Sequence, residues 1–133
     1  MAFDWLRQYK NTIVLLDTNA IMMLFEFSIN LEEELTRLFG KFKIIIPDTV
    51  IDELTYLSEH GNGRKKLIAK PALKLIENYD IIKANKKGDQ AILDLAKKLN
   101  CVVLTNDKKL REKIKKLSLH TVYLRNKSKL VLD

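Results

Sequence analysis

Short apolar runs alternate along the chain with longer stretches in which apolar residues recur at helical spacing. Several runs are almost continuously apolar, which is typical of a parallel sheet covered on both faces. The predicted strands are 12–16, 42–46, 80–84, 101–105 and 120–124. The predicted helices are 18–27, 30–40, 48–59, 64–78, 88–99 and 107–118. This order implies right-handed crossovers and therefore predicts a doubly wound α/β sandwich.

Two of the predicted strands lead directly into an acidic residue. The first, TIVLL, is followed by DTN, which begins with Asp17, and the fourth, CVVLT, continues into TND, which ends with Asp107. In open α/β sheets, functional sites lie outside the carboxyl ends of the strands, where the strand order reverses. If the first and fourth strands are neighbours, the two carboxylates face each other in that crevice.

Two further acids lie at the borders of apolar helix faces. On a helical wheel, Glu53 and Asp89 each flank the apolar stripe of their helix, whereas Asp52 and Asp94 point to solvent. A carboxylate at such a border loses hydration, so it is usually retained only with a partner or a metal. Asp52 also has a structural interpretation, because Thr49 and Asp52 have the spacing of a capping box.

Simpler interpretations exist for these acids as well. Asp107 could be a helix N-cap, Asp17 a turn residue at a strand end, and Asp89 a partner of its helix dipole. Four acids at two strand ends and two helix borders are harder to explain as four unrelated caps. Clustered carboxylates raise one another's pKa unless a cation is present. Oxygen ligands without His or Cys favour Mg²⁺ or Mn²⁺ over zinc, which suggests metal-assisted phosphodiester hydrolysis.

The histidines and the cysteine indicate no other metal site. His60 and His120 have no ligand spacing around them, so core or surface roles are predicted for both. Cys101 is the only cysteine, which excludes an intrachain disulfide and a thiolate cluster. It is predicted to be a small buried hydrophobic residue.

Length and composition indicate one globular domain over residues 1–133. No segment approaches the ~20 apolar residues of a bilayer span, and MAFDWLRQYK lacks a signal-peptide pattern, so a cytoplasmic protein without a membrane partner is expected. The net charge of +7 is unevenly divided. Residues 1–60 carry five Lys/Arg against ten Asp/Glu, and residues 61–133 carry nineteen against seven. A basic half favours a nucleic-acid partner, and a solvated lysine surface is the alternative.

Basic residues cover most of the last predicted helix, which begins beside Asp107. Such a helix could follow a nucleic-acid backbone through phosphate contacts. The candidates on this helix are Lys108, Lys109, Arg111, Lys113, Lys115 and Lys116, and Arg64, Lys65, Lys66, Lys86 and Lys87 could extend the surface. Aromatic residues are few and mostly buried by pattern, so stacking of nucleic-acid bases is not predicted.

The chain resembles the PIN-domain nucleases over nearly its whole length. The resemblance rests on four segments in the family's order: VLLDTNAIM with Asp17, PDTVIDELTYL with Glu53, KKGDQAILDLAKKL with Asp89, and VVLTNDKKLREKI with Asp107. Among its members, the chain is more similar to archaeal relatives of ribosomal-RNA processing nucleases than to a VapC toxin. It departs from the family where relatives often carry two adjacent acids and this chain has Gly88 before Asp89, which leaves open whether one or two metals bind.

The resemblance implies a Mg²⁺- or Mn²⁺-dependent endoribonuclease with a five-stranded parallel sheet of order 3-2-1-4-5 in a three-layer sandwich. Asp17, Asp89 and Asp107 would be the metal ligands, and Glu53 would join them in catalysis. Thr18, Asn19, Thr105 and Asn106 would shape the pocket. The residues expected to bind RNA are Lys108, Lys109, Arg111, Lys65, Lys66 and Lys87.

Two alternatives to this hypothesis remain open. The chain could be a noncatalytic RNA-binding or assembly module that retains the fold, or a toxin ribonuclease silenced by an antitoxin. A pre-ribosomal partner or a homodimer is also conceivable, with Met22, Met23, Phe25 and Phe27 as a candidate apolar surface. Burial in the core is the commoner fate of such residues.

Overall fold

The computed structural model describes residues 12–133 of the chain. The strands of this part are β1 (Thr12–Leu16), β2 (Phe42–Pro47), β3 (Asp80–Ile82), β4 (Val102–Leu104), β5 (Thr121–Arg125) and β6 (Lys129–Leu132). The helices are α1 (Thr18–Glu26), α2 (Leu31–Phe39), α3 (Asp48–His60), α4 (Arg64–Ile76), α5 (Gly88–Leu99) and α6 (Lys108–Lys116). All predicted elements are present, with ends that differ by at most two residues.

The sheet has the order β3-β2-β1-β4-β5-β6. The first five strands pair in parallel, which confirms the predicted order 3-2-1-4-5. The prediction of five strands is wrong, because β6 pairs antiparallel with β5 at the edge of the sheet. The turn between them contains Asn126 and Lys127 with positive φ values of 54° and 58°, as in the primed turns of tight hairpins. Four residues at the end of the sequence were too short a run to be identified as a strand.

Helices cover both faces of the sheet, as predicted for a three-layer sandwich. Alternate residues of β1 face opposite sides: Val14 and Leu16 belong to a core cluster with α1, α2, α3 and α4, and Leu15 belongs to a second cluster with α5 and α6. All three side chains are at most 1% exposed. Both faces of β1 are therefore shielded from solvent, which explains its continuously apolar sequence.

Two details of the helices differ from the sequence analysis. The predicted capping box of Thr49 and Asp52 is absent, because α3 begins at Asp48 after Pro47 and has no side-chain cap. Met23 is buried, and the neighbouring Met22, Phe25 and Phe27 are partly buried against the core, so core packing accounts for this group.

Within residues 12–133, no helix has the length and apolar character that crossing a membrane requires. The predicted lack of a signal peptide concerns residues 1–11, which lie outside the described part of the chain. The cytoplasmic location stays a prediction.

Candidate active site

The ends of β1 and β4 meet at the carboxyl edge of the sheet. Leu16 of β1 pairs with Leu104 of β4, so the next residues, Asp17 and Thr105, lie side by side. The Thr105 hydroxyl donates a hydrogen bond to Asp17 Oδ2 at 2.8 Å and accepts one from the Asp107 backbone N–H at 3.2 Å. Thr105 is fully buried. One hydroxyl group therefore joins the two acidic strand ends that the sequence had singled out.

The pKa of Asp17 differs from that of an ordinary aspartate. Removal of its carboxylate from water raises its pKa to about 6, although hydrogen bonds from the Ala20 N–H and the Thr105 hydroxyl act in the opposite direction. The negative charges of Asp107 and Asp89 raise the pKa further. Three of the four predicted acids are therefore close enough to interact electrostatically, and a cation among them would relieve the repulsion.

Asp17 and Asp107 also serve as helix caps. Asp17 Oδ1 accepts a hydrogen bond from Ala20 N at 2.7 Å, and Asp107 Oδ1 accepts from the N–H groups of Lys109 and Leu110 at 2.9 and 3.2 Å. The cap interpretation is thus correct for both residues. Capping uses only Oδ1 of Asp107, and Oδ2 accepts no hydrogen bond within residues 12–133. The cap holds the carboxylate in place and leaves one oxygen for a ligand.

Asp89 and Glu53 lie on two different helices. Asp89, in the first turn of α5, is partly exposed, and its Oδ2 lies 3.9 Å from Lys113 Nζ on α6. Glu53 is exposed on α3, whose buried residues are Val50 and Leu54. Glu53 thus lies beside the apolar face of α3 but stays in contact with solvent, so the loss of hydration expected at that border does not occur. The charges that raise the pKa of Asp17 are those of Asp107 and Asp89.

The four residues expected to shape the pocket have separate roles in the structure. Thr105 links the aspartates, and Asn106 ties the loop after β4 to β5 by accepting from Leu124 N at 2.7 Å. Thr18 Oγ1 is buried without a hydrogen-bond partner in the described part of the chain. Asn19 is exposed. An orphaned oxygen one residue after Asp17 is a polar group that a bound ligand or its water could satisfy.

A further strand-end acid, Asp48, was not identified as a candidate from the sequence. It directly follows β2, as Asp17 follows β1, and its Oδ1 accepts a hydrogen bond from Ala84 N at 3.0 Å. This bond ties the loop after β3 to the start of α3. Asp48 therefore has a structural role.

No group of three His, Cys, Asp or Glu side chains in residues 12–133 is compact enough to hold a metal ion as the side chains stand. The chemistry of the donors nevertheless fits a hard cation, because Asp17, Asp89 and Asp107 offer only oxygen atoms. His60 and His120 are exposed, as the sequence analysis allowed, and Cys101 is buried, as predicted. The assignment of the three aspartates as metal ligands stays a prediction.

Lysines line a groove between α5 and α6, beside Asp89. The groove has a volume of about 380 Å³ and is bordered by Lys86, Lys97, Lys113 and Lys116, with Asp94 between them. The predicted RNA-binding residues Lys108, Lys109, Lys65, Lys66 and Lys87 are all exposed. Arg111 differs from them, because its guanidinium donates to Asp133 at 3.2 Å and lies 3.7 Å from the centre of the Tyr123 ring.

A second groove lies beside α3 and has a volume of about 430 Å³. Tyr56 lines it together with Glu53, Lys87 and Gly88, and Gly88 directly precedes Asp89. Tyr56 is 63% exposed, which the expectation of buried aromatics missed. Its position three residues after Glu53 on the same helix was the available sequence signal.

Two archaeal proteins named ribonucleases align with most of the chain. Ribonuclease VapC9 of Archaeoglobus fulgidus is 29% identical over 133 residues, which cover 100% of this chain and 98% of that protein. Ribonuclease VapC4 of Methanocaldococcus jannaschii is 35% identical over 116 residues, which cover 84% of this chain and 88% of that protein. The alignments therefore span whole domains and not isolated motifs.

Solved structures share the fold. The PIN domain endonuclease Utp24 superposes with a TM-score of 0.74 at 27% identity, covering 91% of this chain and 90% of that one. VapBC2 from Rickettsia felis, solved bound to a promoter DNA fragment, superposes with a TM-score of 0.61 at 18% identity, covering 84% and 98%, and shows the fold alone. Residues 14–127 also match a family described as a PIN like domain. The chain therefore belongs to the family of PIN-like domains.

Proposed function

We propose that this chain is a metal-dependent endoribonuclease that hydrolyses RNA phosphodiester bonds at the carboxyl edge of its sheet. The observation that carries the proposal is the Thr105 hydroxyl, which joins the carboxylate of Asp17 to the backbone of Asp107. The relatives named ribonucleases and the similarity to a PIN domain endonuclease support the same activity.

Each acid has a distinct role in the proposed reaction. Asp17 and Asp107, anchored by their helix caps, would hold a Mg²⁺ or Mn²⁺ ion from β1 and β4, and Asp89 would bind it from α5. Such a cation lowers the pKa of an attacking water and neutralises charge on the phosphate. Because residues 12–133 contain no compact ligand group, the side chains would adjust when the ion binds. Glu53 would orient the water or the substrate from the exposed face of α3.

The lysine groove is proposed to bind the RNA backbone. Lys113 lies near Asp89, so a phosphate in this groove would place the adjoining phosphodiester close to the acids. Lys108 and Lys109 at the start of α6 extend the same basic surface. Arg111 is a weaker candidate, because its guanidinium already pairs with Asp133.

The first test is cleavage of a fluorescently labelled RNA by the purified chain in Mg²⁺, in Mn²⁺ and in EDTA. Asp17→Asn and Asp107→Asn are expected to lower cleavage by at least about 100-fold, since electrostatic groups of this kind contribute roughly 10²–10³ in rate. Asp80→Asn is the matched control, because Asp80 is an exposed acid at the start of β3 that pairs with Lys43. Wild-type cleavage by both site variants, or equal activity in EDTA, would contradict the proposal.

The biological setting has two candidates. The VapC relatives support a toxin ribonuclease with an antitoxin partner, and the motif similarity favours ribosomal-RNA processing with a pre-ribosomal partner. Expression of the active chain separates them. A toxin would arrest growth unless a small protein encoded beside it is co-expressed, whereas depletion of a processing nuclease would make uncleaved ribosomal-RNA precursors accumulate. A noncatalytic module would bind RNA and show no cleavage in Mn²⁺.

A further inference from the structure

We propose that the groove beside α3 is a subsite for one unpaired RNA base, which stacks on Tyr56. This inference deepens the proposed ribonuclease function and rests on it. It identifies the substrate as RNA that is single-stranded next to the cleaved bond. A base held in a double helix has both faces covered by its neighbours and could not reach a tyrosine ring in this groove.

Tyr56 has the geometry of a stacking platform. Its side chain is 63% exposed, although a tyrosine of a small domain usually covers most of its ring. The ring packs against His60 one turn later on α3, with centroids 4.8 Å apart and planes at 42°. Support from His60 holds the ring in place on the rigid helix, and the rest of the ring is open to the groove. The groove volume of about 430 Å³ suits a small planar ligand.

The other residues of the groove match the parts of a nucleotide. Lys87 is exposed at the groove and can contact a phosphate. Asp52 and Glu53 present carboxylates that can accept hydrogen bonds from an exocyclic amino group, as acidic side chains do from cytosine N4. A neutral base edge brings no negative charge to these acids, whereas a phosphate would. Leu57 adds apolar contact area.

The groove also adjoins the proposed catalytic acids. Gly88 lines the groove and is followed by Asp89, and Glu53 is shared by the groove and the catalytic proposal. Lys87, Gly88 and Asp89 are consecutive, so a base on Tyr56 and a phosphate near Asp89 can belong to neighbouring nucleotides of one strand. The stacked base would therefore select which bond is presented for cleavage.

The test measures binding in an Asp17→Asn background, so that the RNA stays intact. The probe is a short single-stranded RNA carrying 2-aminopurine, whose fluorescence is quenched by stacking, and the same strand annealed to its complement. Tyr56→Ala is expected to weaken single-strand binding by about 5- to 100-fold and to abolish the quenching, the effect usual for loss of one base–aromatic stack. Tyr56→Phe keeps the ring and is expected to keep both signals. Leu67→Ala, at an exposed apolar residue of α4, is the control.

Duplex binding is expected to be unchanged by Tyr56→Ala. Unchanged single-strand affinity and quenching in Tyr56→Ala would overturn the inference, as would an equal loss in Tyr56→Phe. The carboxylates predict tighter binding of oligocytidylate than of oligouridylate, which lacks an amino group. Asp52→Ala is expected to reduce the difference, because it removes a hydrogen-bond acceptor that asparagine would keep. Equal binding of the two oligonucleotides by the parent protein would overturn the assigned role of the acids.

Failure of this inference differs from failure of the proposed function. Cleavage is measured separately with Asp17 intact. A chain that never cleaves RNA but loses stacking in Tyr56→Ala would retain the base subsite and lose the nuclease assignment. A chain that cleaves RNA normally and binds it identically with and without the Tyr56 ring would retain the nuclease assignment and lose the subsite.

Discussion

Asp17 combines a structural role with an electrostatic one. Its Oδ1 caps α1 through Ala20, its Oδ2 accepts from Thr105, and its burial raises the pKa to about 6. The two hydrogen bonds fix the position of the Asp17 carboxylate. Ionisation of this carboxylate costs free energy, since desolvation is the largest contribution to its raised pKa. Because the ionised form of Asp17 is destabilised in the folded protein, a bound cation would stabilise it.

The raised pKa predicts how stability depends on pH. An unfolded aspartate has a pKa of about 3.9, so between about pH 4 and pH 6 the folded protein keeps a proton that the unfolded chain releases. The contribution of Asp17 to the free energy of unfolding therefore becomes less favourable as pH rises through this window. Asp17→Asn is expected to stabilise the metal-free protein by up to ~3 kcal/mol at pH 7.5 and by about half as much at pH 5.

Urea unfolding in EDTA at the two pH values measures this difference. Asp80→Asn serves as the control, because Asp80 is exposed. A stabilisation that does not shrink as pH falls would show that the carboxylate of Asp17 is not the cause. Addition of Mg²⁺ is expected to stabilise the wild-type protein more than the variant, because ligand binding to the folded state raises stability.

The N-cap of helix α6, Asp107, has two separable roles. Asp107 caps the helix through Oδ1, and asparagine is an equally good cap, whereas alanine is not. The capping role depends on the side-chain oxygen, and the proposed metal role depends on the negative charge. One pair of variants can therefore separate the two interpretations.

Asp107→Asn is expected to change the free energy of unfolding by less than about 0.5 kcal/mol, and Asp107→Ala is expected to lower it by about 0.5–2 kcal/mol because the cap is lost. Both variants are expected to lose RNA cleavage. Thermal or urea unfolding and the RNA assay measure the two effects. Full activity of Asp107→Asn would assign Asp107 to capping only.

Side chains of α2 form hydrogen bonds with the backbone of strand β6. Leu130 N donates to Glu34 at 2.8 Å, and Arg37 donates to Leu130 O at 2.6 Å. The Leu130 side chain is fully buried in the core cluster that includes α2, whereas Leu132 is 44% exposed. These contacts make β6 an integral part of the sheet.

Leu130→Ala is expected to lower the free energy of unfolding by about 2–5 kcal/mol, the cost of a cavity in a packed core. Leu132→Ala removes the same atoms from an exposed position and is expected to change stability by no more than about 0.5 kcal/mol. Urea unfolding of the two variants provides the comparison. Equal effects would show that β6 is not packed as described.

Charge is distributed unevenly over the molecule as a whole. Residues 1–60 carry a net charge of −5, from five Lys/Arg and ten Asp/Glu, whereas residues 61–133 carry +12, from nineteen and seven. The basic half supplies α4, α5 and α6, and the lysine groove lies between the last two. This distribution is expected to steer a polyanion towards the carboxyl edge of the sheet.

RNA affinity is therefore expected to fall steeply with salt, and the logarithmic slope reports the number of phosphate contacts, about 0.7 per contact for a single strand. The double variant Lys113→Gln and Lys116→Gln is expected to reduce the slope by roughly 1.4 if both lysines contact phosphates. Lys41→Gln with Lys43→Gln removes the same charge from the acidic half and is expected to leave the slope unchanged. Equal effects of the two pairs would indicate a general charge effect without a groove.

The local pattern of the chain was sufficient to predict most of the fold and the acids at the strand ends. Continuous apolar runs identified the buried parallel strands, and the acids after β1 and β4 were identified because strand ends in such sheets carry function. These features depend on residues close together in the sequence. These features can therefore be predicted without knowing which elements contact each other.

Contacts between distant elements required the tertiary structure. The pairing of Leu16 with Leu104 placed Asp17 beside Thr105, which no local pattern contains. Tyr56 is exposed on α3, although most aromatic residues were expected to be buried, because the exposure of a helical side chain depends on what packs against that helix. Residues 129–132 form a strand because they pair with β5 and contact α2, which the local sequence does not show. Periodicity along a chain shows which side of a helix or strand is apolar. Pairing and packing between elements determine which residues that side contacts.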